Sequence, residues 1–288
     1  MSATDLFLAH RNLLFTVAYE MLGSAADAED VLQETWLRWS DVDPVEVRDP
    51  RAYLVRITTR LALNRLRSLQ RRRESYVGPW LPEPLLTAPD VADDVELAES
   101  VSTAMMLVLE TLTPTERAVF VLREVFDLGY DEIAEAVDKT PAAVRQIAHR
   151  ARNHVEARRP REKVDPAARD AVVRRFLEAG SSGNLQALMD VLAPDVVLLT
   201  DGGGRVKAAL RPVLGRDKVL RLLEAITPAD AQVELAQVNG GPALRVDVDG
   251  ELAVVASLHV EDGVVTGIYL VRNPEKLARM DEAVVLTR

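Results

Sequence analysis

The spacing of apolar residues changes once along this chain, near residue 160, and that change limits the folds it can adopt. Before residue 160, apolar residues recur at three- and four-residue intervals, in segments that open with Ser, Thr or Asp and often a following proline, which indicates helices. From residue 232 to 274, valines alternate with polar residues between Asn-Gly and Asp-Gly turns, which predicts an antiparallel meander of hairpins. Helical spacing also covers 171–194 and 215–226. The last part is therefore predicted to be α+β, with helices packed on a curved antiparallel sheet.

Charge is arranged in blocks, although the net charge of the 288 residues is −10. Residues 5–46 carry nine acidic residues and two arginines, and residues 48–73 carry nine arginines and one aspartate. Residues 74–100 hold seven acidic residues and no Lys or Arg, and 139–163 hold eight basic residues and two acidic ones. Such blocks indicate separate surfaces for separate partners.

Composition excludes several classes of protein. The chain has no cysteine, so disulfides and thiolate catalysis are excluded, as expected for a cytoplasmic protein. No apolar run reaches the length of a membrane span, and the first residues lack the pattern of a secretion signal. The four histidines (10, 149, 154 and 259) show no ligand spacing, so neither a metal site nor a cofactor is predicted.

Two predicted helices of the first part have opposite charge. The helix that begins after Ser24 presents acidic and polar residues on the face opposite its apolar residues. A longer helix begins at Pro50 and extends to about Arg73, and its arginines 56, 60, 67 and 71 form one stripe. So many arginines repel one another unless a polyanion lies beside them, which favours a nucleic-acid contact. The alternative is a solvated basic face.

A helix-turn-helix follows the acidic linker. "TPTE", residues 113–116, is a capping box, and "YDEIAEAV" is followed by the turn "DKT" and by a basic helix that begins at Pro141. The outward residues of this last helix are Arg145, Gln146, His149, Arg150 and Arg152. A short turn before a basic helix with small inward residues is typical of a DNA reader, and the alternative is an ordinary helical hairpin.

These segments resemble the extracytoplasmic-function (group IV, sigma-70) RNA polymerase sigma factors. "DAEDVLQETWLRW", "DPRAYLVRITTRLALNRLRSLQRRR" and the stretch from "LTPTERAVF" to "HRARNHV" carry the resemblance. The last part resembles a SnoaL-like, NTF2-like cone, and "WLPEPL" with "DGGGR" points to the subgroup with such a fused domain, the sigma factor J type. The implied organisation is two all-α sigma domains, domain 2 (1–73) and helix-turn-helix domain 4 (100–160), joined by the linker 74–99 and followed by the SnoaL-like domain 161–288.

The resemblance implies a role for each set of residues. Core RNA polymerase would be bound by Asp27, Glu29, Asp30, Gln33 and Glu34, unless these are only solvated helix acids. The −10 element of promoter DNA would be bound by Tyr53, Arg56, Arg60, Asn64 and Arg65, where Tyr53 is equally a candidate core residue. The −35 element would be bound by Arg145, Gln146, His149, Arg150 and Arg152, with Arg suited to guanine and Gln to adenine.

The linker carries a tryptophan and prolines that a solvated tether does not need. We expect "WLPEPL" to be a semi-rigid docking peptide, with Trp80, Leu81 and Pro82 against the third domain. Its partner would be the glycine-rich turn Asp201, Gly202, Gly203, Gly204 and Arg205, which lacks the spacing of a phosphate loop. The alternative is that the acidic linker enters a polymerase channel, as linkers of this family do.

The predicted function is an alternative sigma factor with no catalysis of its own, modulated in cis by its SnoaL-like domain. No membrane contact and no separate anti-sigma protein are expected, and a small ligand in the SnoaL-like domain is left open. A second hypothesis is an enzyme, a cyclase or isomerase, for which Asp201 and His259 are the available acid/base residues. A third is an ordinary helix-turn-helix activator, which leaves the acidic helix and the arginine helix unexplained.

Overall fold

The computed structural model describes residues 2–88, 94–158, 165–228 and 230–288. The predicted boundary at residue 160 and part of the acidic linker lie outside these ranges, as do the side chains of Arg71 and Arg72. Three units follow one another along the chain, and we call them the first helical domain, the second helical domain and the third domain.

Three helices build the first helical domain: α1 (Ala3–Leu22), α2 (Ala25–Ser40) and α3 (Pro50–Arg73), with a 3-10 turn at Pro44–Glu46. A capping box at Ser2 opens α1, and Gly23 ends it with a φ of 68° in the left-handed region. The Ser24 side chain accepts from the backbone of Asp27 and begins α2 almost at once. The tight connection places α1 and α2 side by side, and α3 packs against both.

The second helical domain contains α4 (Val95–Ser100), α5 (Thr103–Leu109), α6 (Pro114–Phe120), α7 (Tyr130–Val137) and α8 (Pro141–Glu156). The predicted capping box at Thr113 and Glu116 is present, and α6 runs into a π-helical turn at Val121–Val125. Asp138, with a φ of 56°, makes the turn between α7 and α8. The two helical domains share one continuous cluster of buried apolar residues, so they pack as one body.

The third domain contains helices and a six-stranded sheet in the order β2-β1-β6-β5-β4-β3. Its helices are α9 (Pro166–Ser181), α10 (Leu185–Val191), α11 (Arg216–Ile226) and α12 (Pro274–Leu277). Its strands are β1 (Leu192–Asp201), β2 (Val213–Leu214), β3 (Gln232–Val238), β4 (Gly241–Val248), β5 (Glu251–Glu261) and β6 (Val264–Val271). This is the predicted NTF2-like combination of helices and sheet.

The sheet is mixed, whereas the sequence predicted an antiparallel one. The hairpins β3–β4, β4–β5 and β5–β6 are antiparallel, as their turns indicate, but β6 pairs with β1 in parallel. The turn residues fix only neighbouring strands, whereas β1 precedes the meander and joins it through the crossover that contains α11. The prediction therefore missed one long-range pairing.

Both faces of the sheet are covered. One face packs against α9, α10 and α11 around a buried cluster that includes Val173, Leu198 and Ile268. The other face holds a smaller cluster in which Leu81 of the linker lies among third-domain residues such as Val255 and Val271. The linker and the helical domains therefore occupy a face of the sheet that would otherwise be exposed.

Candidate nucleic-acid and polymerase interfaces

The acidic face of α2 is already paired with arginines of the same domain. The Glu29 carboxylate accepts two hydrogen bonds from Arg11, at 2.8 and 2.9 Å. Arg65 of α3 pairs with both Asp27 (2.5 Å) and Asp30 (3.1 Å). Residues of the predicted polymerase set and of the predicted −10 set therefore neutralise each other in this arrangement.

The remaining acidic and polar positions of α2 stay open. Gln33 and Glu34 are exposed, and Glu34 pairs with Arg38 one turn later at 2.6 Å. Leu37 is exposed beside them, with 63% of its surface accessible. An exposed leucine with exposed polar neighbours forms a surface suited to a protein partner.

Two arginines of the α3 stripe are held by the second helical domain. Arg56 forms an ion pair with Glu135 of α7 at 3.0 Å. The Arg60 guanidinium donates to the backbone carbonyl of the same residue at 2.7 Å. The helix α7 therefore lies on the part of α3 that is predicted to bind the −10 element.

Tyr53 and Asn64 differ in exposure. Tyr53 is half-buried, with its ring 5.7 Å from that of Trp39 and the Arg56 guanidinium 5.0 Å from its centroid. It therefore has the packing of a core-edge residue. Asn64 is exposed on α3, and its side-chain oxygen accepts from Arg67 at 3.4 Å.

The outward face of α8 is largely free. Arg145, Gln146, His149 and Arg150 are exposed, because Val144, Ala148 and Ala151 take the buried face. Arg152 differs, since it forms an ion pair with Glu124 at 2.6 Å. The first two turns of α8 thus present an arginine and a glutamine as the reading helix of a helix-turn-helix does.

A buried carboxylate of the third domain holds the linker. Asp201 ends β1 and is fully buried. Its oxygens accept from the Tyr76 hydroxyl (2.6 Å), the Leu81 amide (2.9 Å), the Gly203 amide (3.0 Å) and the Lys276 ammonium (2.7 Å). Burial lowers the pKa of Lys276 to about 8, although the Asp201 charge opposes that shift. Because Asp201 accepts from four donors, two of them in the linker, it anchors the linker and is not available as a general base.

The glycine-rich turn packs against the start of the linker. Gly203 and Gly204 have φ angles of 58° and 70°. A Cβ at Gly204 would lie 3.3 Å from Val77, and one at Gly203 would overlap the side chain of Asn273. Only glycine combines these dihedrals with such close neighbours. Arg205 points away and pairs with Glu275 at the surface.

Trp80 lies between the first helical domain and the third domain. The Arg73 guanidinium carbon is 3.6 Å from the centre of its ring, and the Lys276 nitrogen is 4.2 Å from it. A Cβ at Gly23, at the end of α1, would be 2.6 Å from Trp80 Cη2. The sequence expectation placed Trp80 against the third domain alone, whereas its ring also covers the end of α1.

The acidic residue of "WLPEPL" has a structural role that the sequence did not reveal. Glu83 is buried, and its carboxylate accepts from the Ser24 hydroxyl at 3.0 Å and from the Ala26 amide at 3.3 Å. It therefore satisfies donors at the beginning of α2. Pro82 and Leu81 beside it are buried as well. The motif binds the third domain on one side and the first helical domain on the other.

Asn239 is a second contact point that sequence reasoning missed. The sequence predicts only a hairpin turn between β3 and β4 at this position. The Asn239 side chain accepts from the Leu85 amide at 2.9 Å and donates to the Tyr19 hydroxyl at 2.6 Å and the Val101 carbonyl at 2.9 Å. A single buried side chain thus touches α1, the linker and the segment before α5.

The candidate acid/base pair is not assembled. Asp201 pairs with Val271 in the sheet, whereas His259 pairs with Gly267 and sits 3.4 Å from Glu261. The two residues are therefore separated along the strands as well as across them. Within the described ranges, no group of three or more His, Asp or Glu residues is arranged to hold a metal ion. No helix of the described part combines the length and apolar character that crossing a bilayer requires.

Comparison with known proteins agrees with this architecture. The family model "Sigma-70 region 2" matches residues 6–72, and "Sigma-70, region 4" matches residues 102–155. The ECF RNA polymerase sigma factor SigJ of Mycobacterium tuberculosis is 40% identical over 94% of this chain and 91% of its own length. The probable ECF sigma factor SigI of the same species is 36% identical, with 93% and 92% covered.

A solved structure supports the same assignment. The crystal structure of Mycobacterium tuberculosis SigJ superposes with a TM-score of 0.78 and 35% identity, covering 97% of this chain and 99% of that one. The fold and site thus define a two-domain helical transcription factor with a fused α+β domain. The chain belongs to the extracytoplasmic-function family of RNA polymerase sigma factors.

Proposed function

We propose that the protein is an alternative sigma factor that binds core RNA polymerase, directs it to specific promoters and starts transcription, modulated in cis by its SnoaL-like domain. The acidic face of α2 would bind the polymerase, α3 would bind the −10 element, and α8 would read the −35 element. It would act where the polymerase acts, in the cytoplasm, without catalysis of its own.

One observation supports this proposal: the two basic helices α3 and α8 differ in how exposed their arginines are. The reading face of α8 is open, while Arg56 and Arg60 of α3 are engaged by Glu135. An ordinary helix-turn-helix activator has no use for an arginine helix that its own reading domain covers. A sigma factor would use both helices, because its two helical domains would bind the two promoter elements separately once α7 no longer covers α3.

In vitro transcription with core polymerase and a panel of promoter fragments tests the assignment. The parent should direct specific transcripts, and Gln146→Ala should change which promoters are used, because each base contact contributes about 1–3 kcal/mol of discrimination. Arg174→Ala removes an exposed arginine of the third domain and serves as the control. If the full chain binds duplex DNA but never directs initiation, the activator hypothesis replaces this one.

Regulation in cis is supported by the linker, which is held on both sides. Trp80 contacts α1 and the third domain, and Leu81 lies in the third-domain cluster. We expect Trp80→Ala to alter the arrangement of the helical domains, measured by small-angle scattering, and to change transcript yield. Trp80→Phe keeps an aromatic ring at that position and should behave much like the parent in both measurements. Unchanged scattering and unchanged transcription in Trp80→Ala would contradict the docking role.

We infer that the third domain regulates rather than catalyses, and that no separate anti-sigma protein is needed. The Asp201 carboxylate already accepts hydrogen bonds from four donors, and His259 lies elsewhere in the sheet. Turnover of a small carbonyl substrate without polymerase would contradict the inference.

A further inference from the structure

The linker is joined to the outer strand of the third-domain sheet by a short backbone bridge. In the sheet order, β3 is an outer strand. Leu86 pairs antiparallel with Val238 at the end of β3, and the Thr87 amide donates to the Gln237 carbonyl at 2.9 Å. The linker therefore extends the sheet beyond β3 by strand addition, a mode in which backbone hydrogen bonds supply the affinity.

A further segment covers the other side of the linker. Thr87 pairs in parallel with Val284, whose amide donates to the Leu86 carbonyl at 2.8 Å. We call residues 283–288 the strap. The Leu85 carbonyl and the Thr87 amide bond to β3 and the next residue, while the Leu86 carbonyl and the Ala88 amide bond to the strap, so the linker lies between two backbone partners.

Side chains of the strap hold it in place. Leu286 is 4% exposed and belongs to the buried cluster shared by the two helical domains. The Thr287 amide donates to the Thr16 hydroxyl of α1 at 3.1 Å. Arg288 forms ion pairs with Asp94, at 2.8 Å, and with Glu96. The neighbouring Val285 is 42% exposed, so the strap alternates between inward and outward residues as a strand does.

We propose that the surface formed by linker residues 86–88, α1 and α4 is a peptide-binding groove whose occupant is the strap, and that the strap must leave before core polymerase can take up the linker. This inference rests on the proposed sigma-factor function. A central strand cannot leave a sheet while both neighbours are bound, so strap release precedes linker release. The apparent affinity for polymerase is then the intrinsic affinity multiplied by the fraction of molecules whose strap is open, and that fraction is small.

Hydrogen exchange and polymerase binding of full-chain variants test the proposal. Leu286→Ala weakens the inward anchor, and the amides of Val284 and Ala88, which bond between the strap and the linker, should exchange about 5- to 30-fold faster. Affinity for core polymerase should rise by a similar factor. Val285→Ala, at the adjacent outward position, should change neither quantity. Arg288→Ala, which removes only surface ion pairs, should shift both in the same direction by a smaller factor and without risk to the fold.

A reversible crosslink gives the opposite perturbation. The chain contains no cysteine, so Thr87→Cys with Val284→Cys introduces one defined pair at positions that are partners in the ladder. Oxidation should lower polymerase affinity, and reduction of the same sample should restore it. Adding a synthetic peptide of residues 282–288 to Leu286→Ala should slow exchange at the Ala88 amide again.

The outcomes separate this inference from the proposed function. If the parent does not bind core polymerase under any condition, the sigma-factor assignment fails. If the parent binds but Leu286→Ala and the oxidised pair bind with the same affinity as their controls, the strap does not gate the linker and the inference is overturned. Unchanged exchange at Val284 and Ala88 in Leu286→Ala would overturn the groove itself.

Discussion

The most quantitative prediction concerns Glu20, a fully buried carboxyl at the junction of the two helical domains. One of its oxygens accepts from the Ser100 hydroxyl at 2.8 Å, and the other has no hydrogen-bond partner among the described residues. Burial raises the pKa of Glu20 from 4.5 to about 8, against the opposing effects of Ser100 and of the nearby Arg117 charge. Glu20 is therefore protonated in the folded protein at neutral pH.

The sign of the pH dependence follows from that pKa. The folded state holds the proton more tightly than the unfolded chain, so the contribution of Glu20 to stability is fully present below pH 4.5 and is lost as the pH rises through about 8. At pH 7 ionisation of Glu20 in the unfolded chain favours unfolding by about 3 kcal/mol. Glu20→Gln removes the ionisation and keeps the shape.

Urea denaturation of parent and Glu20→Gln at pH 5, 6, 7 and 8 measures the effect. The stability difference in favour of the variant should grow by about 3 to 4 kcal/mol between pH 5 and pH 8. Any constant cost of the new amide cancels, because the change with pH is what is tested. Glu46→Gln, at an exposed position, should leave the pH dependence of the parent unchanged. Parallel stability curves for parent and Glu20→Gln would refute the buried, protonated state.

Three further substitutions test the contacts between domains. Gly23→Ala should lower the free energy of unfolding by at least about 1–2 kcal/mol, because the left-handed φ of 68° and the tryptophan beside it both exclude a Cβ; urea titration measures this. Asn239→Ala should lower the free energy of unfolding by about 1–3 kcal/mol, because it leaves buried donors and acceptors of three segments unpaired. An unchanged urea midpoint would contradict this. Glu135→Ala should increase the affinity for duplex DNA without polymerase and steepen its salt dependence by about one phosphate contact, measured by fluorescence anisotropy, because it frees the Arg56 guanidinium, whereas Arg60 keeps its bond to the backbone carbonyl. Asp131→Ala removes an exposed acid from the same helix and should have little effect.

The helical domains could be predicted from the sequence because their determinants are local. The capping box at Thr113, the turn before Pro141 and the apolar stripe of α8 each involve residues a few positions apart. The exposed face of α8 follows from them directly. The antiparallel hairpins were predictable for the same reason, since each turn fixes its two neighbouring strands.

The contacts between domains could not be predicted, because they join distant positions with ordinary side chains. Asn239 and Tyr19 are 220 positions apart, and nothing in an Asn-Gly turn indicates that its asparagine bonds to another domain. Arg73 counts as one more cation of the arginine block, yet it is half-buried, pairs with Glu110 and lies over the Trp80 ring. Charge patterns identify a surface only where the fold leaves the residues exposed.

The arrangement of the domains is held by buried contacts rather than by exposed ion pairs. Exposed pairs such as Arg56–Glu135 contribute about 0–1 kcal/mol each. By contrast, the shared apolar core, the Leu81 cluster and the bonded side chain of Asn239 lie away from water. Salt that screens the exposed pairs would therefore leave most of the closing energy in place. Separating α7 from α3 requires a partner that binds the separated arrangement more tightly than the one described, and under the proposed function core polymerase would be that partner.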